Sequence, residues 1–326
     1  MTDRHPTVRH ALGFGCASLY GLPLKRDRRA VLEAAYNLGI RHFDVAPMYG
    51  LGLAEAELGE FIGARSDVVV ATKFGIRPTT AGRAAGLVQP PVRRFMQSFP
   101  AVKSKAKRSG TKRDAGAIGR LLYSEHDYSV PNARRALTSS LRALRNPRLN
   151  YFFLHEPAGW LSGRYSDLIE YLNGEVRRGT IESWGPAGDL SRVDDSLSDL
   201  TSRATAVQMP YDLIDGHGGP RTEPDRPTIV FGFLASTLPR VRAALFGDRQ
   251  FQQQCSELLD ADLGDQRTVI HLLTRNAVTH NKSGTVLLSS TSTDHLKMAC
   301  AAARAPLRNE AEVASLIRQK CLDMRV

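Results

Sequence analysis

Four residues of this chain have the types needed to move a proton to or from a carbonyl oxygen: Asp44, Tyr49, Lys73 and His155. Asp44 ends a short apolar run in the stretch FDVAPMYG (43–50), and Tyr49 follows five residues later. An ionised carboxylate at the end of a buried strand is costly unless something pairs with it. Lys73, which ends the run VVVATK (68–73), is a fitting partner. An ammonium beside a phenol favours the phenolate and draws a tyrosine pKa down from about 10. A phenol tuned in this way is a general acid for a carbonyl under reduction. Each residue also has a plainer reading: Asp44 and Lys73 as a structural ion pair, Tyr49 as loop packing, His155 as a strand cap. Taken together the plain readings weaken, because a buried Asp–Lys pair gives little stability for its desolvation cost.

The elements that must position these residues alternate between strand and helix. Helical apolar spacing runs from Asp27 to Leu38 and stops at Gly39. Arg41 to Val45 is strand-like, Leu53 to Ile62 helical, and Asp67 to Phe74 a buried strand. Ser129 is placed to cap a helix that runs to about Leu144. Leu149 to Leu154 is a strand, and Asp167 to Arg178 a helix closed by Gly179. Strands are expected at Ile181–Gly185, Ala204–Met209, Thr228–Leu234 and Thr285–Ser289, with a helix near Leu190–Leu200 and a last one over Glu310–Met324. With Leu12–Gly15 first, eight βα units in 326 residues favour a closed (β/α)8 barrel in a single domain over 1–326. The polar, turn-forming stretch 215–227 predicts that the outer helix after the sixth strand is lost or shortened. In such a barrel the catalytic groups lie at the C-terminal ends of the strands. Asp44, Lys73 and His155 fall at the ends of the second, third and fourth strands, with Tyr49 in the loop after the second.

The net charge of +11 is concentrated in one segment. Residues 77–120 hold eleven lysines and arginines against the single acid Asp114, a local net of +10. This basic insertion after the third strand emerges at the catalytic face and is far longer than an ordinary βα connection. It reads either as a solvated loop or as a lid whose charges, Arg93 and Arg94 among them, attract an anionic substrate such as a carboxylated or nucleotide-linked sugar. A short helix is expected within 115–124. Nucleic acid is not an expected partner, since no recognisable motif is present and few aromatics interleave the charges. No apolar run spans a membrane, the N-terminus lacks a secretory signal, and Cys16, Cys255, Cys300 and Cys321 have no metal-ligand spacing. No metal is expected, and the four scattered thiols suit a cytoplasm.

The stretches GFGCAS (13–18), GIRHFDVAPMYGLGLAEAELG (39–59), VVVATKFG (68–75), YFFLHEP (151–157) and AVQMPYDLID (206–215) resemble the aldo-keto reductase superfamily, as do GEVRRGTIESWG (174–185) and TVLLSSTSTDHL (285–296) more weakly. The glycines at 13 and 15 are no open-sheet dinucleotide fingerprint, since no third glycine opens a helix. The resemblance implies Tyr49 as proton donor, Lys73 as the group that shifts its pKa, Asp44 as the partner of Lys73 and His155 as the group that orients the substrate carbonyl. It implies a nicotinamide cofactor, NADP ahead of NAD, with NAD also open. The cofactor contacts it implies are Gly15, Cys16, Asp44, Gln208 on the carboxamide, and Phe231 against the ring. Backbone from Gly232 through Leu234 to Ser236 would pass the pyrophosphate, and Ser290, Thr291, Ser292 and His295 would meet the adenosine end. Phe231 has barrel core as its plainer reading. Tyr20, Met48 and Trp184 are candidate substrate contacts.

Some positions depart from the family pattern. Ala187 and Gly188 stand where a Ser-Asn pair often holds the carboxamide, and Met298 and Ala299 stand where a Glu-Asn pair is common. These departures lend weight to a second function class, a nucleotide-binding barrel acting as a regulatory or scaffold subunit. The intact Asp44, Tyr49, Lys73 and His155 favour the enzyme, a carbonyl oxidoreductase of a small molecule.

Overall fold

Alternation within the strands decides which side chains meet. In the computed structural model the described residues are 11–63, 65–82, 84, 122–123, 126–157, 165–191, 195–217 and 226–324. Among the described residues nine strands form: β1 (Leu12–Gly15), β2 (His42–Asp44), β3 (Val69–Phe74), β4 (Leu149–His155), β5 (Ile181–Ala187), β6 (Val207–Asp212), the two-residue β7 (Gly216–His217), β8 (Thr228–Phe231) and β9 (Thr285–Leu288). All but β7 pair in parallel, in the order β5-β4-β3-β2-β1-β9-β8-β6, and the pairing of Ala187 with Gln208 closes β5 onto β6. This is a (β/α)8 barrel.

Side chains of period 2 sort between interior and helix layer. Val69, Ala71, Tyr151, Phe153, Ala187, Ala206, Ile229 and Leu287 fill the barrel, with Phe231 packed against them. Val70, Phe74, Phe152, Leu154, Val207, Met209 and Val230 face outward into the larger core under the helices. Within the barrel His42 stacks on Tyr151 at 5.4 Å, and Tyr151 on Phe153 at 5.7 Å. Since Asp44 is two residues beyond His42, Lys73 two beyond Ala71, and His155 two beyond Phe153, all three continue the interior rows at their mouth ends.

The surrounding helices are α1 (Lys25–Asn37), α2 (Ala54–Ile62), α3 (Val130–Leu144), α4 (Ser166–Arg178), α5 (Asp195–Arg203), α6 (Thr237–Phe246), α7 (Arg249–Leu259), α8 (Gln266–His280), α9 (Thr293–Arg304) and α10 (Glu310–Asp323). Ser129 caps α3, its Oγ accepting from the Asn132 N–H at 3.4 Å. Gly179, at φ 74°, ends α4 as its sequence position implied. A second core joins α6, α7, α8 and α10 on one flank, with Leu245, Leu259, Leu272 and Ile317 at its centre.

The strand expected over Thr228–Leu234 ends early, at Phe231, and two others end late for one reason. The fifth and sixth strands run on to Ala187 and Asp212, through Pro186 and Pro210. Proline lacks an amide donor and reads as a terminator, yet Pro186 pairs opposite Leu154 and Pro210 opposite Phe231. Gln208 is therefore the second residue of its strand, not its last but one. After β6 the described chain has no helix. It turns at 213–215 and pairs back, Tyr211 opposite His217, and 218–225 lie outside the described residues. Most of the basic insertion, with Arg93, Arg94 and most of the 115–124 helix expectation, also lies outside them, as does the N-terminal decapeptide. The insertion's two ends meet: Pro78 bridges Tyr123, and Asp127 donates to Gly75 O at 3.0 Å. Among the described residues no helix is long and apolar enough to cross a membrane, and the four cysteines are unpaired and buried.

Gly59 tests the α2–α3 packing. A Cβ there would lie 2.2 Å from Ala143 O and 2.8 Å from the Leu144 backbone. Gly→Ala inside a helix ordinarily stabilises by about 1 kcal/mol. Here the contact is with backbone that cannot rotate away, so Gly59→Ala should destabilise by about 1–3 kcal/mol, read as a lowered denaturant midpoint.

Candidate active site

Asp44 is the hub of the barrel mouth. Lys73 Nζ donates to its Oδ1 at 2.6 Å and to Val45 O at 3.1 Å. Gln208 Nε2, from across the barrel, donates to its Oδ2 at 2.9 Å. A carboxylate accepts only, so this contact fixes which end of the Gln208 amide is NH2. It leaves Gln208 Oε1 buried with no partner among the described residues. Lys73 and Asp44 side chains are each 4% exposed, so the pair is held out of water, where its attraction is least screened.

Tyr49 enters from a tight turn, Tyr49–Gly52, in which Gly50, Leu51 and Gly52 all take positive φ. Its ring lies edge-on to His155 at 5.9 Å, and Lys73 Nζ is 5.1 Å from its centroid. The Lys73 ammonium and the Tyr49 phenol are close enough to act on each other electrostatically. Asp44, Tyr49, Lys73 and His155 are thus gathered at one place. Their titration differs in one respect from the sequence expectation. Burial raises the Tyr49 phenol above its ordinary value and outweighs the lowering by Lys73. A dry pocket disfavours the phenolate more than the neighbouring cation favours it, so the phenol is neutral and holds the proton a donor needs. Burial opposes the Lys73 charge, but Asp44 and Tyr49 outweigh it and the ammonium pKa is raised. Burial first, then the charge of Lys73, pushes the His155 imidazole down to about 3. It is neutral at pH 7, with a buried Nδ1 that has no partner among the described residues.

The proposed cofactor contacts are distributed around this mouth. Phe231 ends β8 half-buried above the interior stack, and Gly232, Ala235 and Ser236 are exposed beside it with Leu234 half-buried. Helix α6 begins there without a side-chain cap, and Thr237 Oγ1 is buried with no partner among the described residues. Ser236 Oγ turns instead to Asp212 at 3.3 Å. Ser292 caps α9 by accepting from the His295 N–H at 3.4 Å, and Ser290 Oγ is engaged by the same turn. Thr291 and His295 are exposed. Gly15 O accepts from Ser289 Oγ at 3.2 Å. Cys16 is fully enclosed in the core and its thiol pKa is raised by that burial, so its side chain packs.

Two of the candidate substrate contacts are corrected. Tyr20 is buried, its hydroxyl donating to Glu57 at 2.7 Å, and Trp184 is fully buried with Nε1 donating to Asn173 at 2.9 Å. Large aromatics near a strand end read as pocket walls in sequence but serve the helix layer here. Sequence reasoning also missed Arg28, whose guanidinium binds Glu57 at 2.7 Å and lies 4.4 Å from the Tyr20 ring. That ring rests on Gly50, where a Cβ would come within 2.5 Å of it. The buried Arg28–Glu57–Tyr20 group therefore braces the turn that carries Tyr49. Nothing in the local spacing marks residues 20, 28 and 57 as neighbours. Among the described residues no group of three His, Cys, Asp or Glu is set to hold a metal ion.

The His155 shift fixes a pH dependence. Its folded pKa of about 3 lies below the ordinary 6.5, so between those values the unfolded chain binds a proton the folded chain does not. Stability present above about 6.5 is lost as pH falls. Between pH 7 and pH 5 the wild type should lose about 2 kcal/mol more than His155→Gln, read from denaturant midpoints at both values. Parallel losses would contradict the buried, neutral imidazole.

Comparison with known proteins identifies the family and the fold. The Aldo/keto reductase family profile matches residues 11–225. A D-threo-aldose 1-dehydrogenase from Pseudomonas sp is 34% identical over 154 residues, 45% of this chain and 40% of that protein, so the match spans well under half of the relative's length. Among solved structures, an aldo-keto reductase from Bacillus halodurans in its holo form superposes with a TM-score of 0.64 at 21% identity, covering 96% of this chain and 92% of that one. An aldo-keto reductase from Klebsiella pneumoniae in complex with NADPH has a TM-score of 0.57 at 20% identity, covering 95% and 91%. On the family match and the barrel together, the chain belongs to the Aldo/keto reductase family.

Proposed function

We propose that this protein is an NADP-dependent oxidoreductase of a small aldehyde, ketone or sugar carbonyl, with Tyr49 as the proton donor. The observation that carries the reading is the grip on Asp44 from opposite walls by Lys73 and Gln208, beside a neutral phenol and a neutral imidazole. The donor set suits a nicotinamide nucleotide. The orphaned Gln208 Oε1 is an acceptor for a carboxamide N–H, and an unpaired buried acceptor is expensive unless something fills it. The Phe231 ring is positioned to take an aromatic face. The uncapped start of α6, with the free Thr237 hydroxyl, suits a pyrophosphate, because unpaired N–H groups and the helix dipole favour anions. The N-terminus of α9, with exposed Thr291 and His295, suits the ribose phosphate, while Ser290 and Ser292 shape that turn. The NADPH-bound relative supports NADP as the nucleotide, and the aldose dehydrogenase supports a sugar as substrate.

Bound NADPH supplies the hydride. The protein's own contribution is to hold the carbonyl oxygen between Tyr49 and His155. His155, being neutral, hydrogen-bonds that oxygen without competing for a proton. Tyr49 gives up its proton as charge develops on the oxygen, and the Lys73 ammonium, fixed by Asp44, stabilises the phenolate left behind. In the oxidative direction the same groups act in reverse.

Tyr49→Phe should reduce carbonyl-dependent NADPH oxidation by about 100-fold or more, while NADPH affinity, followed by nicotinamide fluorescence, stays within about twofold because the hydroxyl contributes to the transition state. Wild-type turnover in that variant would contradict the assignment.

A further inference from the structure

The last pair of the β3–β4 ladder sets Phe74 opposite Leu154. Beyond it β3 has ended, and Gly75 turns the chain away at φ 114°. β4 runs one residue further, to His155. The peptide that joins His155 to Glu156 therefore lies at an open edge of the sheet. A planar trans peptide presents its N–H and its C=O in opposite directions. The Glu156 N–H points to β5 and donates to Ala187 O at 2.7 Å, so the His155 carbonyl faces the side that β3 has vacated. His155 is buried, and a buried carbonyl needs a donor. The Tyr128 hydroxyl is that donor.

Tyr128 fills the vacated place with its whole side chain. Its ring lies over Gly75, where an added Cβ would stand 2.3 Å from Tyr128 Cε1, and meets Phe74 edge-on at 6.1 Å. The backbone beside it is held just ahead of α3. The Asp127 N–H donates to Gly75 O at 3.0 Å, and Asn132 Nδ2 donates to Asp127 O at 2.7 Å. The Ser129 N–H donates to Asp127 Oδ1 at 3.0 Å. Burial raises the Tyr128 phenol above its ordinary value, and the Glu156 charge adds to that, so the hydroxyl keeps its proton and stays a donor. The peptide held in this way is not relaxed. Glu156 has φ 53°, a left-handed conformation that residues with a Cβ seldom adopt and that persists where the surroundings over-determine it. On one side that constraint is a strand. On the other it is a single side-chain hydrogen bond.

We infer that Tyr128 is a positioning residue for His155: its hydroxyl stands in for the missing β3 donor and fixes the peptide from which the imidazole projects. The inference rests on the carbonyl oxidoreductase reading above and adds to that site a residue that acts through His155. The hydroxyl's role is separable from the ring's, because the ring alone is enough to cover Gly75.

Tyr128→Phe keeps the ring and removes the donor. With glyceraldehyde as the probe carbonyl, kcat should fall about tenfold, since slight misplacement of a positioned group is costly. NADPH affinity, followed by nicotinamide fluorescence, should stay within about twofold. In a His155→Gln background the same substitution should cost less than about twofold, because residues that act through one another are not additive. In protein labelled with 13C at the histidine Cε1, with His155→Gln used for assignment, the His155 resonance should move in Tyr128→Phe while that of His42, deep in the barrel, does not. An undiminished kcat, a tenfold loss repeated in the His155→Gln background, or an unmoved His155 resonance would each overturn the assignment. Loss of fold or of NADPH binding in Tyr128→Phe would mark a general prop of the mouth and overturn it as well. A wild type that binds NADPH yet reduces no carbonyl would overturn the oxidoreductase reading alone, since the His155 resonance needs no turnover and still decides the role of Tyr128.

Discussion

One buried cation acts on the protonation of every titratable group beside it, together with the burial they share. Lys73 is sealed from water against Asp44, and an ion pair in that position contributes little net stability for the desolvation it requires. What it does is electrostatic. Its charge is secured by Asp44 and Tyr49. The same charge pulls against the burial that raises the Tyr49 phenol and works with the burial that lowers the His155 imidazole. At pH 7 the mouth therefore holds one ammonium on its Asp44 partner, one neutral phenol and one neutral imidazole. That distribution suits a site that must deliver a proton to an oxygen and then tolerate the phenolate it leaves.

The barrel makes this arrangement rigid. Asp44 is tied to β3 by Lys73 and to β6 by Gln208, so the carboxylate is fixed from opposite walls, above a stack of His42, Tyr151 and Phe153. Outside the barrel, two buried acids hold the element that follows Tyr49. Glu57 takes Arg28 and Tyr20, and Glu55 accepts from Thr72 at 2.7 Å. Both acids lie in α2. The turn Tyr49–Gly52 is thereby braced at its exit by α2 and on its flank by the Tyr20 ring, and positive φ at three consecutive residues becomes sustainable.

Much of this could be read in the sequence because strand alternation is local. Asp44, Lys73 and His155 each stand at the end of an apolar run, and a period of two residues is enough to aim them inward. The Ser129 cap and the Gly179 stop are likewise set by neighbours in the chain. The misreadings have a common physical origin in tertiary context. Pro186 and Pro210 look like terminators, but the barrel tolerates them within strands. Tyr20 and Trp184 look like pocket walls, but buried partners from distant elements turn them outward. The direction of the Tyr49 shift was not legible, since proximity to Lys73 is a matter of spacing whereas the depth of burial is a property of the assembled mouth.

The central claim is that the Lys73 charge acts on the Tyr49 phenol. The direct measurement is the ionisation of Tyr49 itself, followed by NMR of protein carrying 13C at the tyrosine Cζ, with Tyr49→Phe used to assign the resonance. Wild type and Lys73→Met would be titrated over the same alkaline range. Loss of a nearby cation raises a phenol pKa, so Tyr49 should ionise at a higher pH in Lys73→Met than in the wild type. Identical titrations in the two proteins would mean that the ammonium does not act on the phenol, and the account of this site would be wrong.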